Sequence, residues 1–108
     1  MTVRGDIVLV ALQGDYGKPR PAVIVQTDVM AEHASVVLCL LTTDVRTARF
    51  RVTIQPTAIN ALAATSQVMA DKLVTVPRTK VGPSIGRVTL AQLREIERAM
   101  AFVVGLGA

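Results

Sequence analysis

The sequence predicts a mainly β fold, a curled or barrel-like antiparallel sheet with a single helix at its C-terminal end. Three observations lead there. Short aliphatic and β-branched runs recur along most of the chain, bounded by Gly, Pro, Asp or Thr. Sustained helical periodicity is confined to the stretch after residue 88. Helices do not alternate with strands, as a doubly wound α/β protein would need, so a curled or barrel-like antiparallel sheet fits best.

Residues 6–12 (Asp-Ile-Val-Leu-Val-Ala-Leu) read as the first strand, entered through Arg4-Gly5-Asp6, where Gly5 permits a turn and Asp6 ties it. Gly14, Gly17 and Pro19 make 13–19 a turn. Residues 21–26 and 36–41 are almost continuously apolar and predict two central strands, with Pro21 tolerable as a first strand residue. In 50–54, Phe50, Val52 and Ile54 alternate with Arg51 and Thr53, the pattern of a half-solvated strand with a base on its open face. The stretch 56–64 suits one loose helical turn. Residues 67–69 and 72–76 read as strands on either side of Ala70-Asp71, the second stopped by Pro77. Finally, Thr89 and Gln92 have capping-box spacing, and Leu90, Leu93, Ile96, Met100 and Val103 form an apolar helical stripe ended by Gly105 and Gly107. That helix should cover one sheet face. An aliphatic sheet edge would invite a second copy, so a homodimer is expected.

With 108 residues, 51% hydrophobic and 19% charged, the chain suits one folded domain spanning 1–108. The apolar run at 36–41 is six residues long, far short of the roughly 18 a membrane helix needs. The N-terminus has no leader-like apolar block, so a cytoplasmic location is expected. Cys39 lies inside an apolar strand and should be a buried thiol. The net charge of +4 is unevenly spread: residues 1–44 are net negative, whereas 45–87 hold seven bases and one acid. Such a stretch attracts a polyanion.

Several chemistries are excluded. One histidine, His33, and one cysteine cannot supply a recognisable metal-ligand set, and His33 sits in a polar turn where a triad base would be misplaced. Gly14 and Gly17 lack the ending of a phosphate loop. Tyr16, Phe50 and Phe102 are too few and scattered for a base-stacking platform. No cofactor is expected.

What remains is Lys18-Pro19-Arg20-Pro21. Pro19 fixes its own φ and Pro21 drives Arg20 towards extended geometry, so the guanidinium leaves a stiffened backbone. Leu41-Thr42-Thr43-Asp44 ends the next strand with two hydroxyls. If the two strands pair as antiparallel neighbours, Arg20 and Thr42 share one rim and make a phosphate site. A rigid surface turn and a threonine-rich strand end would look the same.

These strings together resemble the MazF/PemK family of toxin endoribonucleases from toxin–antitoxin systems. The resemblance runs through Arg4-Gly5-Asp6-Ile7, the Arg-Pro-Ala-Val-Ile-Val-Gln segment at 20–26, Leu41-Thr42, Ser66-Gln67-Val68, the strand at 72–76 and Ile85-Gly86. It implies an SH3-like barrel of the CcdB/PemK type with short helical turns, working as a homodimer. It also implies metal-independent cleavage of single-stranded RNA, with Arg20 and Thr42 as the catalytic pair and a cognate antitoxin protein as partner. Lys18, Arg46, Arg49 and Lys72 are then expected to contact phosphates, and Thr43 and Gln67 bases or sugars. A short loop at 13–19, and Thr27-Asp28 where Asn-Asp is common, depart from the family pattern. Two other classes fit the same strings: a toxin of this general fold that binds DNA gyrase, and an RNA-binding module without catalysis.

Overall fold

Six strands and one long helix carry the regular structure of the chain, seen in a computed structural model that describes residues 2–12 and 18–107. They are β1 (Asp6–Ala11), β2 (Pro19–Ile24), β3 (Ser35–Thr42), β4 (Arg51–Ile54), β5 (Ser66–Pro77), β6 (Val81–Arg87) and α1 (Leu90–Val103). All strand pairings are antiparallel, in the order β4-β5-β3-β2-β1-β6. The nearly uniform apolar strands, β2 and β3, are interior as expected. Most of the turn expected at 13–19 lies outside the described residues.

Gly5 enters β1 with φ +93°, and Asp6 closes the turn by accepting from the Val3 N–H at 2.9 Å. Alternation then divides the side chains between two cores. One face presents Ile7, Val23, Cys39, Leu41 and Val68 to Leu93, Ile96 and Ala99 of α1. The other presents Val8, Val10, Ala22, Ile24 and Leu38, closed over by Val76 from the far half of β5. The helix begins with the expected capping box: Thr89 Oγ1 accepts from Gln92 N–H at 3.1 Å and Gln92 Oε1 from Thr89 N–H at 2.8 Å. It ends in a Schellman turn at Gly105, where Gly105 N–H reaches Phe102 O and Leu106 N–H reaches Ala101 O.

The structure departs from the sequence reading in four places. β2 begins at Pro19, not Pro21, and Pro21 is accommodated because the β2–β3 ladder stops at Ala22↔Leu40, before an N–H is needed from it. The two strands expected around Ala70-Asp71 are one strand, and the break survives as a register shift opposite Leu40. β6 has no counterpart in the sequence reading, which places no strand at 81–87; it holds Gly82, Pro83 and Gly86 and is an edge strand, where proline is tolerated. A Cβ on Gly86 would lie 2.5 Å from the Asn60 backbone, so the loop before β5 can pack there only against glycine. The helix stripe also shifts inward, to Leu93, Ile96 and Ala99, leaving Leu90 exposed in the first turn. The barrel is incomplete, with β4 and β6 as its two edges. One helical turn does form in 56–64, through Ala61 N–H to Thr57 O at 3.1 Å.

Candidate active site

Register decides whether Arg20 and Thr42 can meet. β2 and β3 pair as Ala22↔Leu40, Val23↔Cys39 and Ile24↔Leu38. Carried two residues further, the same alternation sets Arg20 opposite Thr42, both on the face of Ala22 and Leu40. The β2–β3 ladder has ended by that point. Arg20 is exposed and stands across from Val10 of β1, while Thr42 is half-buried.

Thr42 pairs on its other side with Gln67 of β5, and Gln67 with Thr53 of β4. Thr42, Gln67 and Thr53 therefore form one row across three paired strands, at adjacent-strand spacings of about 4.8 Å, and the continued β2–β3 register sets Arg20 at the end of that row. The Thr42 hydroxyl accepts the Asp44 N–H at 3.0 Å, which folds the chain back in a tight turn and leaves the hydroxyl hydrogen for an oxygen ligand. Lys72, exposed at the bend of β5, continues the β3 pairing opposite Leu40 and flanks the same face. Lys18 and Thr43 are exposed at the two strand ends.

Beyond Thr42 the row opens into a groove of about 370 Å³, walled by the 45–48 segment with Arg51, Thr53 and Gln67. Arg46 lies on this wall, paired with Asp44 at 2.8 Å. Arg49 goes elsewhere: its guanidinium sits 4.2 Å above the Phe102 ring of α1, beside a second groove shared with Arg98 and Glu95. The site candidates thus split, with Arg20, Thr42, Gln67 and Lys72 on one face, Arg46 beside them, and Arg49 against the helix.

Gln67 behaves unlike a surface contact, being 4% exposed with its carboxamide engaged inside the protein. Arg51 is a member of the groove that the strand pattern exposed without assigning it a role. Its NH1 donates to Asp44 O at 2.6 Å and to Gln67 Oε1 at 3.1 Å. Cys39 faces the helix-side core, where burial pushes its thiol up to about 12, so it is no nucleophile at neutral pH. His33 is exposed, its Nδ1 accepting from Ser35 N–H. Among the described residues, no three or more His, Cys, Asp or Glu gather as a metal set, and no helix is long and apolar enough to cross a membrane.

Comparison with known proteins identifies the family of the chain. Residues 3–104 match the family model of PemK-like, MazF-like toxins of type II toxin–antitoxin systems. The chain is 37% identical over 105 residues to a probable endoribonuclease MazF of Mycolicibacterium smegmatis, covering 95% of this chain and 96% of that one. Among solved structures, it resembles a mycobacterial endoribonuclease in complex with its cognate antitoxin, with a TM-score of 0.85 and 29% identity over 100% of this chain and 99% of that one. The Mycobacterium tuberculosis toxin MazF-mt6 is similar at a TM-score of 0.83 and 27% identity, over 95% and 99% of the two chains. A family match across nearly the whole sequence, on a fold shared end to end, leaves one assignment: the chain belongs to the PemK-like, MazF-like toxins of type II toxin–antitoxin systems.

Proposed function

We propose that this toxin is an endoribonuclease that cuts single-stranded RNA, messenger RNA foremost, using Arg20 and Thr42. The observation that carries the proposal is the β2–β3 register, whose continuation pairs a permanently charged guanidinium with a hydroxyl at one rim. RNA brings its own nucleophile, the 2′-hydroxyl beside the scissile phosphorus, so the route needs neither a protein nucleophile nor a metal. The 2′-oxygen bonds to phosphorus as its proton passes to water, and the bond from phosphorus to the 5′-oxygen breaks as that oxygen takes up a proton from water. Negative charge builds on the equatorial oxygens meanwhile. Arg20, which stays charged throughout, donates two parallel hydrogen bonds to that charge. Thr42 holds a phosphate oxygen through its free hydroxyl hydrogen. The products are a 2′,3′-cyclic phosphate and a 5′-hydroxyl end.

Lys18, Lys72 and Arg46 supply the field that draws the backbone in, with Thr43 beside the scissile position. The toxin works as a homodimer, and a cognate antitoxin neutralises it by occupying the RNA-binding rim. Arg20→Ala tests the core of the proposal. The expected result is loss of cleavage of a mixed RNA pool with folding retained, while wild-type products carry 5′-hydroxyl ends and form equally well in a chelator. Chelator-sensitive cleavage leaving 5′-phosphates would overturn the chemistry. Growth arrest undiminished in Arg20→Ala would favour a toxin that acts by binding DNA gyrase.

A further inference from the structure

We infer that Gln67 is a positioning residue of this site: its buried carboxamide stands in for a neighbouring strand against Arg46 and so fixes the turn that carries the Thr42 hydroxyl. Gln67 Oε1 accepts the Arg46 N–H at 2.9 Å, and its Nε2 donates to the Arg46 carbonyl, also at 2.9 Å. One side chain thus satisfies both backbone groups of a residue 21 positions away, as a hydrogen-bonded strand partner would. The remaining lone pair and hydrogen are used as well. Oε1 accepts from Arg51 NH1 at 3.1 Å, and Nε2 donates to Thr53 Oγ1 at 3.1 Å. At 4% exposure, this set of four bonds has little water to replace any member that is lost.

The grip reaches Thr42 through a short chain of contacts. Arg46 is tied to Asp44, its Nε at 3.0 Å and its NH2 at 2.8 Å from Oδ2. The Asp44 carbonyl is held by Arg51, the guanidinium Gln67 also holds, and the Asp44 N–H is the donor to Thr42 Oγ1. Thr42 stands directly across from Gln67 in the β3–β5 pairing. An exposed turn running from Thr42 to Arg46 at a strand end would otherwise sample many conformations, and the rotation of the Thr42 hydroxyl would be set by solvent. Held at both ends, the turn keeps Thr42 Oγ1 against the Asp44 N–H, so that the hydroxyl hydrogen is the part left for a phosphate oxygen. Gln67 itself touches no substrate here; it acts through Arg46, Asp44 and Thr42.

The inference rests on Thr42 acting at the scissile phosphate, so its test must separate the two ideas. Single- and multiple-turnover cleavage of one single-stranded RNA oligonucleotide, chosen from a random pool that the wild type cuts, is compared across wild type, Arg20→Ala, Gln67→Leu and Gln67→Glu. Thermal melts are recorded for each. A positioning role predicts that Gln67→Leu folds and loses at least about tenfold in kcat, with a smaller change in KM, because Lys18 and Lys72 stay in place although Arg46 is loosened. Unchanged kcat, or a rise in KM alone, overturns it. Should Gln67→Leu fail to fold, the nearly isosteric Gln67→Glu decides. Ionised, the introduced carboxyl accepts from Arg46 but cannot donate to its carbonyl or to Thr53; protonated, it regains a donor. Its kcat relative to wild type should therefore rise as the pH falls from about 8 to about 5, since burial favours the neutral acid. A flat ratio overturns the inference. If Arg20→Ala cuts like wild type, the site assignment itself fails. If Arg20→Ala is inert while both Gln67 variants keep wild-type kcat, only the positioning role fails.

Discussion

Thr42→Val separates what the Thr42 hydroxyl does for the fold from what it does for the reaction. Valine has nearly the same shape and is at least as good a strand former, so the backbone of β3 should hold. The protein loses one visible interaction, the 3.0 Å bond from Asp44 N–H to Thr42 Oγ1. That bond is exposed, so water takes over the donor and the cost stays below about 1 kcal/mol, a fall in Tm of less than about 8 °C for a chain of this length. The catalytic loss should be larger. Removing one preorganised donor aimed at developing charge typically costs about 100- to 1,000-fold in rate, or roughly 3–4 kcal/mol of barrier. Single-turnover cleavage of an end-labelled RNA oligonucleotide, with a melt on the same preparation, reads both. Thr42→Ser, which keeps the hydroxyl, should recover most of the rate. Cleavage by Thr42→Val within about threefold of wild type, less than about 0.7 kcal/mol, would mean the hydroxyl does not touch the transition state.

Ile96→Ala removes a fully buried side chain between α1 and the sheet, so it should cost about 2–5 kcal/mol and lower Tm by roughly 10 °C or more; a change of a degree or two would mean the helix is not packed as described. Cys39 should resist iodoacetamide in the native protein at neutral pH and react once denaturant exposes it; equal rates in both states would contradict its burial. Glu97 is held below the usual carboxylate range first by its hydrogen bonds from Arg94, at 2.8 and 2.7 Å, and then by Arg4 at 2.7 Å. A lowered folded-state pKa stabilises above the unfolded value of about 4.3 and is lost as pH falls through the folded one. Glu97→Gln should accordingly melt below wild type near neutral pH, the gap closing in acid; a gap independent of pH would show that the ion pairs do not contribute.

What was legible in the sequence was local or followed from neighbouring strands. Thr89 and Gln92 sit three apart, and a capping box needs nothing more than that spacing. Arg20 and Thr42 were within reach because β2 and β3 are consecutive apolar strands, and antiparallel neighbours return the chain to the rim where it began. β6 was hidden because Gly82, Pro83 and Gly86 look like turn residues. Their composition answers a tertiary demand: a Cβ on Gly82 would lie 2.9 Å from the Leu9 carbonyl, and one on Gly86 would strike the 59–60 backbone. Read from the sequence, Gln67 is a candidate RNA contact. Its engagement with Arg46 depends on β5 lying between β3 and β4, a pairing that no periodicity within residues 66–69 can announce.

The bend in β5 links the fold to the site. Above it, β3 and β5 pair as Leu38↔Val74 and Cys39↔Leu73; below it, as Leu41↔Val68 and Thr42↔Gln67. Had the upper register continued, Thr42 would face Ala70, a side chain with nothing to offer a polar turn. The extra β5 residues opposite Leu40 instead bring Gln67 beside Thr42 and turn the lower half of the strand towards β4, where Thr53 completes the row. The same bend leaves the upper half free to carry Val76 over the second core. The polar interruption at Ala70-Asp71 is therefore more than a gap between two strands. It allows one strand to close a hydrophobic core at one end and to organise the polar rim at the other.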